Sequence, residues 1–262
     1  MHEKRGSRRM TTVGRRRLLP AASWLAAVMS MQAATLVAQQ ETAATKPVRI
    51  LFIGNSYTYS NDLPAMLQAM ALAAPQPITI DAGTVLVGGA TLRDHWDGEA
   101  RNEIRRGGWD YVVLQEQSLR PIDATREFIE YGRRLGEEIR AVKARPVLYL
   151  TWARKSRPSS QEALNRGYLR LADEIGAIVV PVGPAWSEFR RLDGTSELYT
   201  EDGSHPSALG SLLAASMFFR TLFGVLPPET YGPDSTIAPR VLPLVRRAVQ
   251  ETASSFPARQ NP

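Results

Sequence analysis

Five short apolar runs, each followed by a helix-prone stretch, predict an α/β protein whose parallel sheet is covered by helices on both faces. Three observations carry this. The runs are continuously apolar and rich in β-branched residues, as strands buried on both faces are. The segments between them repeat apolar residues at the three- and four-residue spacing of a helix face. And 262 residues, 44% of them hydrophobic, suffice for one sizeable core.

The elements follow in order. Val48–Ile53 is an apolar run ending at Gly54, a buried strand. Pro64–Ala74 is helical in composition, with Leu63, Met66, Leu67 and Met70 on one face. Ile78–Leu86 is a second strand and Leu92–Arg106 an amphipathic helix. Tyr111–Leu114 is a third strand, Ala124–Lys143 a long charged helix, and Pro146–Leu150 a fourth strand. Gln161–Ile175 is a helix and Ala177–Val182 a fifth strand. A short Pro-bounded helix, a turn and the helix Ala208–Phe223 come next. Ile237–Ser255 reads as a last helix despite Pro239 and Pro243. No internal repeat or low-complexity segment is visible.

Charge is unevenly placed. The formal net charge is +6, yet residues 1–38 hold seven basic residues and one acid, leaving 25 of each sign in the rest. The excess lies in the leader and gives no argument for nucleic-acid binding. Arg15-Arg16-Arg17 precede an apolar stretch from Leu18 to Val37, and Ala38 offers a small residue for cleavage, with Ala33 and Ala34 as alternatives. This predicts a signal peptide over 1–38, weakly similar to the twin-arginine type, and hence export to the periplasm or outside the cell. A polar linker over 39–46 and one domain over 47–256 follow, with no stable membrane insertion after cleavage. An uncleaved anchor is the competing reading. The absence of cysteine excludes disulfides, thiol nucleophiles and cysteine metal sites.

In a doubly covered parallel sheet, sites form beyond the carboxyl ends of the strands. After the first strand stand Gly54-Asn55-Ser56-Tyr57-Thr58; after the second, Val87-Gly88-Gly89-Ala90-Thr91; after the third, Gln115-Glu116-Gln117-Ser118. Beyond the fifth and one helix stand Asp202-Gly203-Ser204-His205-Pro206. Of the three histidines, only His205 has a carboxylate three residues before it, close enough to fix its tautomer. Ser56 is then the nucleophile, His205 its general base and Asp202 the orienting acid. The backbone N–H groups of Ser56 and Gly89, with a side-chain amide, supply an oxyanion hole. Glycine at 89 permits close backbone approach. As plainer readings, Ser56 is a helix cap, Gly88-Gly89 a turn, Asn55 and Glu116 loop-holding groups, and His95 a partly exposed structural residue. Trp96, Trp152, Trp186 and Tyr59 read as core, with Trp152 able to border a pocket. No metal-ligand spacing and no phosphate-binding loop occur, so no cofactor or metal is expected.

Those four blocks, in order over most of residues 48–223, resemble the SGNH (GDSL) hydrolase superfamily, and GNSYT and LQEQS in particular a little-characterised bacterial branch of it. The resemblance implies a flavodoxin-like, three-layer α/β/α fold with about five parallel strands. It also implies a serine esterase acting through Ser56, Asp202 and His205. Two positions depart from the pattern. Asn55 replaces the usual Asp before the serine. The third-block Asn is replaced by Gln, which puts the oxyanion amide on Gln117 or, alternatively, Gln115. The expected substrate is a small-molecule or carbohydrate ester, with O-acetyl groups on carbohydrate foremost. The alternatives are a lipase or thioesterase for longer acyl chains, and a non-catalytic carbohydrate- or envelope-binding protein on the same fold.

Overall fold

The computed structural model of the chain describes residues 46–229, 231 and 237–256, together with His2. The chain divides into two units, 1–45 and 46–262, and the architecture below belongs to the second. The expected signal peptide and all but the last residue of the expected linker lie outside the described residues.

Five strands form one parallel sheet: β1 (Val48–Gly54), β2 (Ile80–Leu86), β3 (Tyr111–Leu114), β4 (Arg145–Leu150) and β5 (Ile178–Pro181), in the order β2-β1-β3-β4-β5. This is the flavodoxin-like order. Continuously apolar strands send alternate residues to opposite faces. Ile50, Phe52, Val113, Val147 and Tyr149 enter one core, and Leu51, Ile53, Val112, Leu114, Leu148 and Leu150 the other.

The helices divide accordingly. α1 (Ser56–Tyr59) is a single turn directly after β1. α2 (Leu63–Leu72) packs on the first face, while α3 (Leu92–Asp97) and α4 (Ala100–Arg106) pack on the second. After the short α5 (Arg120–Asp123), α6 (Thr125–Ala141) and α7 (Gln161–Ile175) complete the second face. They approach closely because Gly132 and Gly136 leave room for Leu171 and Ile175. α8 (Val182–Leu192), α9 (Ala208–Phe223) and α10 (Leu242–Ser255) cover the first face. The result is the expected three-layer α/β/α sandwich.

Two helices depart from expectation. The helix expected over Leu92–Arg106 is broken at Gly98, whose ψ of −148° leaves the helical region and ends α3. The last helix begins at Leu242, because Pro239 starts a separate 3-10 turn over Pro239–Val241. Among the described residues, no helix is long and apolar enough to cross a membrane.

Candidate active site

Gly54, Leu86, Leu114, Leu150 and Pro181 end their strands at the same edge of the sheet, so the loops that follow converge there. The turn after β1 is fixed by Asn55, which is buried and caps α1. Its Oδ1 accepts from the N–H of Tyr57 at 3.2 Å, and its Nδ2 donates to the carbonyl of Ala90 at 2.8 Å. Asn55 therefore holds two site loops together, as its turn-holding reading anticipated. Ser56 is the first residue of α1.

Ser56 and His205 lie 149 residues apart in sequence, and their Oγ and Nε2 atoms are 2.8 Å apart. His205 Nδ1 faces Asp202 Oδ2 at 2.5 Å. With Nδ1–H donating to the carboxylate, Nε2 is left as the acceptor for the Ser56 hydroxyl. The hydrogen bond from His205 holds the Asp202 carboxyl well below the usual carboxylate range. The backbone N–H of Ser204, that of His205 and the Thr200 hydroxyl add to the effect. The carboxylate is thus charged and fixed, as a group that orients a base must be. The site is open: the side chains of His205 and Asp202 are 40% and 47% exposed.

The Asp202–His205 loop is held from behind by aromatic rings. Tyr57 stacks on Trp152 at 4.8 Å between centroids, and Trp152 on Trp186 at 3.9 Å. The Tyr57 ring also meets His205 edge-on at 5.6 Å. Trp152 Nε1 donates to the carbonyl of Ser204 at 3.0 Å, and the hydroxyls of Tyr57 and Ser204 share a 2.5 Å hydrogen bond. Two residues along, Asn61 Nδ2 donates to the carbonyl of Pro206 at 3.2 Å. Trp152 is fully buried; it supports the loop and does not border a pocket.

The remaining expected residues take distinct places. Gly89 sits in the exposed turn after β2 with φ of 70°, and a Cβ there would meet nothing within 4 Å. Its requirement for glycine is therefore conformational, where the sequence had pointed to close approach. Gln115 is buried and engaged: Oε1 accepts from the N–H of Asn55 and the hydroxyl of Thr58, and Nε2 donates to the carbonyl of Glu116. Gln117 is half-buried, and its side-chain amide has no hydrogen-bond partner among the described residues. Of the two glutamines, only Gln117 has its amide free. Glu116 is buried and accepts from the N–H groups of Gln117 at 2.6 Å and Leu92 at 3.4 Å; burial pushes its carboxyl up to about 7. His95 is fully enclosed, where partial exposure was expected. Its Nε2 bonds the carbonyl of Gly54 at 2.9 Å, and burial pushes its ring down.

Tyr57, Asn61, Ser118 and Arg154 carry much of this architecture, and the sequence singled out none of them. Tyr57 and Ser118 left a trace, as members of the blocks after the first and third strands.

No family model matches the chain, and no curated protein matches it. Solved structures do. An SGNH hydrolase-like protein from Slackia heliotrinireducens is 28% identical with a TM-score of 0.59, over 68% of this chain and 100% of that one. A DUF4886 family protein from Bacteroides uniformis has a TM-score of 0.65 at 19% identity, over 80% of this chain and 96% of that one. The acetylxylan esterase Axe2 from Geobacillus stearothermophilus has a TM-score of 0.53 at 18% identity, over 66% of this chain and 93% of that one. The last two identities speak to the fold alone. Taken with the four ordered sequence blocks and the strand order, the Slackia likeness places this chain in the SGNH hydrolase-like superfamily.

Proposed function

We propose that the protein is an exported serine esterase that cleaves a carboxylic ester through an acyl-enzyme on Ser56. The observation that carries this reading is the continuous hydrogen-bonded chain from Ser56 through His205 to Asp202. In the first half-reaction His205 Nε2 takes the Ser56 proton as Oγ attacks the ester carbonyl. The tetrahedral oxyanion is met by the backbone N–H groups of Ser56 and Gly89 and by the free amide of Gln117. His205, now protonated and stabilised by Asp202, gives the proton to the departing alcohol. Water then repeats the sequence on the acyl-enzyme and releases the acid.

The substrate reading is an O-acetyl group on carbohydrate. The open triad supports it, since an ester standing out from a bulky chain reaches an exposed serine without entering a deep cavity. That an acetylxylan esterase shares the fold is consistent with this. The export reading rests on the leader, Arg15-Arg16-Arg17 followed by an apolar stretch.

Hydrolysis of p-nitrophenyl acetate by the purified protein tests the assignment. Ser56→Ala and His205→Ala are each expected to lose at least about a thousandfold in kcat, as disabled triads do. Equal rates for wild type and Ser56→Ala would overturn it. A fluorophosphonate probe separates the alternative of a non-catalytic binding protein, because only an activated serine is labelled.

A further inference from the structure

At the carboxyl edge of β4, four residues beyond Leu150, stands an arginine with no counter-ion among the described residues. The Arg154 side chain has a single hydrogen bond, from Nε to the Ser118 hydroxyl at 2.9 Å, and no carboxylate within 4.0 Å among the described residues. Two neighbouring cations on the same edge are paired, Lys155 with Glu197 and Arg120 with Glu127, while Arg157, three residues on, has no ion pair among the described residues and no side-chain bond to the site loops. A guanidinium bonded through Nε keeps both terminal NH2 groups free, side by side, in the fork that matches an anionic oxygen pair.

The arginine is held in place by the site itself. The Ser118 hydroxyl that receives Nε lies 3.2 Å from the Tyr57 hydroxyl, which in turn bonds Ser204, the residue before His205. Ser118 is buried and has φ of 28°, a left-handed conformation that costs a non-glycine residue about 1 kcal/mol or more. That strain presents one hydroxyl to Tyr57 and Arg154 at once.

The side on which Arg154 stands is informative. The departing alcohol receives its proton from His205 Nε2 and so leaves on the His205 side. Arg154 reaches the site through Ser118, Tyr57 and the His205 loop, whereas the Gly89 turn lies on the β2 side. We infer that Arg154 is a specificity-determining anion anchor, and that the substrate is an ester whose alcohol portion carries a negatively charged group. This inference rests on the esterase reading above and narrows its substrate class to acidic alcohols, such as acetylated sugar acids.

Two acetyl esters with matched leaving groups test it: 3-acetoxybenzoate, whose phenol carries a carboxylate, and 3-acetoxybenzamide, its neutral counterpart. The measured quantity is the ratio of their kcat/KM values, which cancels any loss common to both. Arg154→Gln is expected to lower the anionic-to-neutral ratio by roughly tenfold, the worth of one charge-assisted contact. Arg154→Lys, which keeps the charge without the fork, should fall between. In wild type the ratio should also decline as salt is raised. An unchanged ratio in both variants, with both esters turned over, would overturn the anchor and leave the esterase reading standing. If wild type hydrolyses neither ester and Ser56 escapes fluorophosphonate labelling, the esterase reading itself falls, and the anchor with it.

Discussion

Burial pushes the Glu116 carboxyl up to about 7 from an ordinary 4.5, although it accepts two backbone N–H groups and has Arg120 nearby. Desolvation outweighs both aids. An acid whose folded value lies above its unfolded one binds more protons in the folded state between the two values. Its contribution to stability therefore falls as pH rises from about 4.5 through 7, and stays lost above that. The full span corresponds to about 3 kcal/mol. Thermal melts at pH 5 and pH 8 should show a smaller drop for Glu116→Gln than for wild type; parallel drops would mean that the carboxyl is not held neutral. Asp202 has the opposite tendency, its folded value being depressed, so the loop it organises weakens as pH falls into the acid range. Asp202→Asn keeps the shape and removes the charge. It should cost about three to four orders of magnitude in kcat, through loss of the tautomer that leaves Nε2 free. Near-wild-type kcat in that variant would show that Asp202 does not orient His205.

The segment from Leu198 to Pro206 is clasped between α9 and the aromatic stack, and Gly210 sets the clearance. A Cβ at 210 would stand 2.3 Å from the Leu198 carbonyl and 2.5 Å from the Trp186 ring. Neither can yield easily, since one is backbone and the other is locked against Trp152. Gly210→Ala should therefore lower stability by about 1–3 kcal/mol, despite alanine's better helix propensity. It should also reduce kcat, because the displaced segment carries Asp202 and His205; a melt and an assay on one sample read both. Most of the elements were legible in the sequence, because buried parallel strands are continuous apolar runs and their flanking helices repeat with a clear period. The break at Gly98 was not, since one glycine within an amphipathic pattern does not itself end a helix. The same division runs through the site. Ser56, His205 and Asp202 sit in short contiguous blocks that can be read locally. Tyr57 and Ser204 meet across 147 residues, and Arg154 meets Ser118 across 36. Only tertiary packing creates those pairs, so no local pattern announces them.

The two cores share one sheet and nothing else so directly. On β3, adjacent residues point apart: Val112 into the core of α3, α4, α6 and α7, and Val113 into that of α2, α8, α9 and α10. Val112→Ala and Val113→Ala should each cost about 2 kcal/mol and lower one common melting transition. Two separated transitions in either variant would show that the faces unfold independently. The strand order has a temporal consequence as well. Ser56 follows the first strand and His205 comes after the last, so the two ends of the sheet's sequence must be in place before they can meet. A nascent chain exposes its serine early, yet that serine remains an ordinary alcohol until β5 has joined the sheet and α9 has closed behind the histidine loop. On the proposed esterase reading, recovered activity during refolding should date the completion of the fold, and a chain cut short before residue 205 should be inert however much of its sheet has assembled.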